Sequence, residues 1–225
     1  MTGALGVPRV HLRRTDSTNE RARVLAAAGA PHGTLVTAHE QTAGRGRQGR
    51  AWSAPAGQAL LCSLVVRDPP RLLPLAAGAA VASVCGAGAQ IKWPNDVLVE
   101  GRKVAGILVE ARPQERWAVV GIGVNVAVKL SELPPELRGR AGTLGLERDE
   151  VEGWLTGLLA TLAKWLAAPE HEVLAFVRER DALRGRRVRW ADGSGTGGGI
   201  DGQGRLVVLT DEGQIALEAG EVHLS

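Results

Sequence analysis

The sequence predicts an α+β fold in two parts: a main domain over residues 1–184 and a small β-rich domain over residues 185–225. Three observations lead there. The length, 225 residues, suits one large domain, or one main domain with a small one attached. Up to residue 184, helix-periodic and strand-like segments are interspersed. After Arg184 the texture changes to short β-like pieces separated by Gly/Asp turns.

Residues 15–29 read as a turn into a helix. Ser17 and Glu20 have the capping-box spacing, Ala22, Leu25 and Ala26 follow at helical period, and Gly29 and Pro31 end it. Residues 34–38 and 59–66 read as strands, separated by a Gly/Arg-rich loop over 41–57 that is too polar for a core element. Residues 72–88 read as a buried helix. Strands follow at 89–93, 96–99, 103–110 and 117–126, with the turn Glu100-Gly101 marking a hairpin. The clearest helix is 150–167, where Val151, Trp154, Leu155, Leu158, Leu159, Leu162, Trp165 and Leu166 form one apolar stripe. Asp149 stands at its cap position, Pro169 lies just past its end, and a second helix is expected over 170–183. Beyond it, 187–190, 205–209 and 214–217 suggest a barrel or sandwich of about five short strands.

Composition narrows the function. Hydrophobic residues make up 44% and charged residues 23%, as in a soluble globular protein. The balance of 27 basic against 24 acidic residues is too mild to indicate a nucleic-acid protein, so no DNA partner is expected. Cys62 and Cys85 sit in apolar stretches with neither CxxC nor Cys/His spacing, so neither a zinc site nor a disulfide framework is expected, in keeping with a reducing cytoplasm. Residues 1–10 lack the pattern of a signal peptide. The most apolar stretch, 72–89, is broken by Pro74 and several glycines, so no membrane association is expected.

Five motifs can carry chemistry. In Gly44-Arg45-Gly46-Arg47-Gln48-Gly49-Arg50, followed by Trp52, glycines admit a ligand to the backbone and guanidiniums can neutralise phosphate oxygens. A solvated basic loop and an arginine-rich RNA-binding segment remain open readings of the same residues. In Lys92-Trp93-Pro94-Asn95-Asp96, either a plain strand-to-strand turn or a phosphate site with Asp96 as an oxygen ligand for Mg²⁺ fits the pattern. Lys103 enters an apolar strand ahead of Gly106 in a chain with few lysines; it either snorkels or stabilises an anion. Gly121-Ile122-Gly123-Val124-Asn125-Val126 is either a core strand or one whose Asn125 reads an adenine edge. Asp16-Ser17-Thr18-Asn19 either caps a helix or holds an amide-like ligand head. No GxSxG, HExxH or Cys/His arrangement is present, which favours chemistry without a protein nucleophile, such as activation of a carboxylate by ATP.

Taken in order, these pieces resemble the biotin–protein ligase family: Asp16-Ser17-Thr18-Asn19, Glu40-Gln41-Thr42-Ala43 leading into GRGRxGRxW, KWPND, Arg102-Lys103-Val104-Ala105-Gly106-Ile107-Leu108 and residues 121–126. The resemblance implies a catalytic domain similar to class II aminoacyl-tRNA synthetases, followed by a small Src-homology-3-like β-barrel. Gly199-Ile200-Asp201 with Gly204 and Leu206 is similar to that barrel's usual sequence. By the same resemblance Ser17, Thr18, Asn19 and Gln41 surround the biotin ureido group, and Gly44, Arg45, Gly46 and Arg47 close over biotin and the adenylate phosphate. Lys103, with Gly106 beside it, meets the biotin carboxylate and the α-phosphate. Trp52 and Asn125 hold adenine, while Lys92, Asn95 and Asp96 serve phosphates and Mg²⁺. Lys103, Arg47 and Arg45 are then the catalytic cations, biotin and ATP the substrates, and a lysine of a biotin carboxyl carrier domain the acceptor. A homodimer through a sheet edge is a further possibility. Only a short stretch precedes the catalytic region, so a helix-turn-helix domain and promoter repression are not expected, and the loops around 133–144 look short for the family. Lipoate–protein ligases share the adenylation logic but carry an RRxSGGG-type loop, in contrast with the GRGRQGR found here.

Overall fold

In the computed structural model, which describes residues 4–224, the chain forms two sheets and five α-helices among the described residues. The ends of the two expected domains, residues 1–3 and 225, lie outside that range, as does the start of the segment 1–10. The elements are β1 (Arg9–Leu12), α1 (Thr18–Ala27), β2 (Leu35–Ala38), β3 (Leu60–Arg67), α2 (Leu73–Cys85), β4 (Ala89–Lys92), β5 (Asp96–Val99), β6 (Arg102–Arg112) and β7 (Trp117–Val124). They continue with α3 (Pro135–Arg138), α4 (Glu150–Ala167), α5 (Glu170–Glu179), β8 (Arg187–Trp190), β9 (Gly193–Ile200), β10 (Leu206–Thr210), β11 (Gly213–Leu217) and β12 (His223–Leu224).

The first sheet has the order β1-β2-β3-β7-β6-β5-β4, parallel only between β1 and β2. Its central strands are buried on both faces, which explains their nearly unbroken apolar sequence. Side chains alternate between the faces. Leu60, Cys62, Leu64 and Val66 of β3, with Ala118, Val120, Ile122 and Val124 of β7, point to one core under α2 and α4. Val65 and Trp117 with Val119 point the other way, toward Ala22 and Ala26 of α1. Most of α2 is buried and none of it is exposed, so it needs no polar face. In α4 Trp154, Leu155, Leu158, Leu162 and Trp165 are buried, with Val151, Leu159 and Leu166 packed partly behind them, as the stripe predicts.

The second sheet, β11-β10-β9-β8-β12, is antiparallel throughout. Glycine-rich β9 escapes a propensity reading, yet its glycines are required by contact. A Cβ at Gly197 would lie 2.1 Å from the Leu183 carbonyl oxygen, and one at Gly195 would lie 2.4 Å from that of Leu209. Residues 180–182 join the two sheets: Ile91 N–H donates to the Arg180 carbonyl at 2.7 Å, and Ala182 N–H to that of Ile91 at 3.0 Å.

Several local expectations change. Ser17 occupies the N-cap of α1 without a side-chain cap bond, and Glu20 is drawn away to Arg23 and Arg45, so no capping box forms. Asp149 likewise makes no cap bond; Glu150 instead takes the Glu147 N–H at 2.7 Å. The helix expected over 170–183 ends at Glu179, because the following residues leave it to pair with β4. β1 was not foreseen: it is short and largely exposed.

Candidate active site

Sheet register builds the floor of the site. Lys92 pairs with Asp96 across the β4–β5 turn, Asp96 with Gly106, Gly106 with Gly123, and Gly123 with Leu61. One cross-strand row therefore runs from two charged side chains into two glycines. The next row is Leu108, Gly121 and Ser63. With no side chains on Gly106 and Gly123, the indole of Trp52 lies on the sheet; a Cβ on Gly123 would come within 2.5 Å of it, and one on Gly106 within 3.0 Å. Gly121 leaves room for Asn19, whose Oδ1 would be 1.9 Å from a Cβ there.

Above this floor lies a cavity of about 460 Å³, well within the usual size for a small-molecule site. Ser17, Thr18, Asn19, Gln41, Arg45, Gly46, Arg47, Trp52, Lys92, Asn95, Asp96, Lys103, Gly106 and Asn125 all line it. Of the residues expected from the sequence, only Gly44 is set back. Its missing side chain lets the Trp52 carbonyl approach, a Cβ there being 2.4 Å away, and its own carbonyl accepts the Trp52 N–H at 2.9 Å.

One end of the cavity is neutral and polar. Thr18, Asn19 and Ser17 are almost fully buried. Gln41 Oε1 accepts the Thr18 backbone N–H at 2.7 Å and so does the capping that Ser17 does not. Ser63, buried behind them, has its hydroxyl 2.8 Å from Thr18 Oγ1 and 2.6 Å from Asn19 Oδ1. The other end is cationic. Lys103 Nζ stands 2.7 Å from Asp96 Oδ1 and 5.7 Å from the centre of the Trp52 ring. Its approach is off the hydrogen-bonding direction, so Asp96 Oδ1 is buried with a charge partner but no directed bond. Arg47 donates to Asn95 Oδ1 at 3.3 Å, and burial lowers its pKa. Burial also lowers the pKa of Lys92, with the neighbouring Lys103 adding to the effect. Such ammonium and guanidinium groups gain from an incoming anion. The Trp52 Nε1–H is buried without a partner and so is available to a ligand acceptor.

Some residues are already committed. Arg45 reaches Glu20 at 3.2 Å and Glu110 at 3.6 Å, which ties the loop to α1 and β6. Asn125 donates through Nδ2 to the Gly142 carbonyl at 2.8 Å, and Lys103 N–H donates to that of Arg140 at 2.9 Å, so the segment before α4 is fastened beside the cationic end. Replacing Asn125 by Ala should cost about 1–3 kcal/mol, the penalty for a buried acceptor left unpaired, read as a shift in denaturant midpoint. An unchanged midpoint would show that Gly142 finds another donor. Asp96, the expected magnesium contact, does not make a metal site by itself, and no group of three potential metal ligands occurs among the described residues. Sequence reasoning missed Ser63, Glu110, Arg140 and Glu221; the last two also line the cavity.

Burial pushes the Cys62 thiol, beneath the site, up to about 12, which leaves it neutral and unreactive.

Residues 11–127 match the Biotin/lipoate A/B protein ligase family. The biotin–[acetyl-CoA-carboxylase] ligase of Paracoccus denitrificans is 36% identical over 243 residues, covering 94% of this chain and 98% of that protein. The bifunctional ligase/repressor BirA of Bacillus spizizenii is 34% identical over 246 residues, covering 99% of this chain and 76% of its own length. Among solved structures, the biotin protein ligase from Aquifex aeolicus in complex with biotin and ATP superposes with a TM-score of 0.79 at 30% identity, covering 96% of this chain and 98% of that one. With 36% identity extending over nearly the full length of a ligase, and a fold shared with a second, the chain belongs to the biotin–protein ligase family.

Proposed function

We propose that this enzyme activates biotin with ATP and transfers it to a lysine of a biotin carboxyl carrier domain. The supporting observation is the polarity of one cavity: a buried hydroxyl and amide cluster at one end, and Lys103 beside Trp52, with Arg47 and Lys92 also lining the cavity, at the other. The ureido ring of biotin fits the first end, and its carboxylate with the nucleotide phosphates fits the second. Relatives named as biotin–[acetyl-CoA-carboxylase] ligases support the acceptor class.

In the first step a biotin carboxylate oxygen attacks the α-phosphorus of ATP. The bond to pyrophosphate breaks and a mixed anhydride, biotinyl-AMP, forms. Lys103 offsets charge on both the attacking carboxylate and the phosphorus oxygens, and Arg47 the charge on the phosphate. Trp52 stacks on adenine. In the second step an unprotonated lysine amine of the acceptor attacks the biotinyl carbonyl, AMP leaves, and the nitrogen gives up a proton as the amide forms. The loop carrying Arg45 and Arg47 excludes water from the anhydride in between. Any magnesium would arrive with the nucleotide's phosphates, for which Asp96 alone is not a sufficient site. The architecture that goes with this reading is a class II aminoacyl-tRNA-synthetase-like domain over residues 1–184 and a Src-homology-3-like barrel over 185–225; the mixed seven-stranded sheet and the small five-stranded one support it. No helix among the described residues is long and apolar enough to cross a membrane.

ATP–pyrophosphate exchange tests the reading: exchange should depend on biotin and not on lipoate. Exchange with lipoate alone would move the protein to the lipoate side of its family. Arg47→Gly should loosen the loop, release biotinyl-AMP into solution and label lysines on bystander proteins. Labelling confined to the acceptor, with adenylate release unchanged, would contradict closure by this loop.

A further inference from the structure

Arg45 heads the cationic loop, yet its charge is already matched. Its guanidinium donates to Glu20 at 3.2 Å and stands 3.6 Å from Glu110. Arg23 donates to the same Glu20 oxygen at 2.8 Å and stands 3.9 Å from Glu110. Two guanidiniums and two carboxylates therefore alternate in one neutral group that joins the loop to α1 and β6. Arg47 differs, because it bonds the neutral amide of Asn95. The neutral group also stands away from the reacting end. Glu110 shares a face of β6 with Gly106, four residues earlier, which is about 13 Å along an extended strand. The Lys103 ammonium belongs to the Gly106 end, 3.2 Å from where a Cβ would stand there. Within the loop the hold on Arg45 is passed on. Arg45 pairs with Ala51, Gly46 N–H donates to the Arg50 carbonyl at 2.7 Å, and Arg50 N–H donates to that of Arg47 at 3.2 Å. A guanidinium fixed at the base of the loop thus steadies Arg47 at its tip.

We propose that Arg45 is a tether and not a catalytic cation: Glu20 and Glu110 are positioning residues that hold it, and this tether sets how long the loop retains the activated acyl group before transfer. The inference rests on the biotin reading above. Lifting the loop, which lets biotinyl-AMP leave, requires Arg45 to part from both carboxylates. The attack on phosphorus takes place beside Lys103 and requires no such parting. Release and adenylation therefore depend on different cations of the same loop and floor. The neutral group is partly exposed, so the tether is weak enough to open on each turnover.

The test is a double-variant cycle in the full chain: Glu20→Gln, Arg45→Gln and the two together. Two rates are read. One is the escape of labelled biotinyl-AMP, formed on the protein from labelled biotin and MgATP, when chased with unlabelled biotinyl-AMP in the absence of acceptor. The other is ATP–pyrophosphate exchange at saturating biotin and ATP. Glu20→Gln should speed escape roughly two- to fivefold, the worth of a partly exposed ion pair, with exchange near the parental rate. Arg45→Gln gives up both carboxylates and should speed escape roughly three- to tenfold. Its exchange rate should fall by far less than the roughly 10²-fold expected when a charge contact to the transition state is lost. Adding Glu20→Gln to Arg45→Gln should change escape by less than about twofold, because the contact is already gone. Escape at the parental rate in both single variants would overturn the inference, and so would two effects that multiply in the double variant. An exchange rate lowered about 10²-fold in Arg45→Gln would place Arg45 on the reacting anions and overturn it as well. Each of these results leaves the biotin reading standing, whereas a parent protein that forms no biotinyl-AMP would overturn both.

Discussion

Lys103→Ala should lower biotin-dependent ATP–pyrophosphate exchange by about 10²–10³-fold, the usual effect of deleting one preorganised charge contact to a transition state. Lys103 is held from several directions. Its backbone is bonded to the segment at Arg140 and Gly142, its stem passes the bare Gly106, and its ammonium rests between Asp96 and the Trp52 ring. A group fixed in this way needs little reorganisation as negative charge moves from carboxylate to phosphate. The fold should persist, because Asp96 keeps a second cation in Lys92, its partner across the β4–β5 turn. Far-ultraviolet circular dichroism should match that of the parent. Exchange equal to the parental rate would show that the anions are neutralised elsewhere.

Gly121→Ala should abolish biotin binding while sparing much of the ATP affinity. The new Cβ would stand 1.9 Å from Asn19 Oδ1, far inside contact distance, in a strand buried on both faces. Either Asn19 leaves the head pocket, breaking its contacts to Ser63 and Glu110, or β7 shifts. Overpacking of this kind costs about 1–3 kcal/mol of stability. Adenine, by contrast, meets Trp52 over Gly106 and Gly123, one row away. Calorimetric titration separates the two ligands. Biotin affinity within a few-fold of parental would mean that Asn19 has no part in holding the ring.

Much of this site can be read in the sequence, for a physical reason. Turn-forming and glycine-rich motifs are local, and GRGRxGR, KWPND and the glycines at 106, 121 and 123 keep their meaning wherever the chain places them. Register is not local. Nothing in the sequence says that Lys92, Asp96, Gly106 and Gly123 fall in one cross-strand row, and that row is what brings Trp52 and Lys103 together. Ser63 did leave a signal, a single hydroxyl inside the otherwise apolar run 60–66, but its partners on α1 lie 44 and 45 residues away. Glu20 shows the opposite case: its spacing from Ser17 suits a cap, yet two arginines outcompete the helix terminus for its carboxylate. In β9 the glycines required for close packing against Leu183 and Leu209 are the same residues that erase a strand signal.

A crystal structure with biotin and ATP addresses the central claim most directly. The ureido ring should lie against Thr18, Asn19 and Gln41, adenine on Trp52, and Lys103 Nζ within hydrogen-bonding distance of both the biotin carboxyl group and the α-phosphate. A ligand bound in the opposite sense, or a filled cavity from which Lys103 is turned away toward solvent, would contradict it.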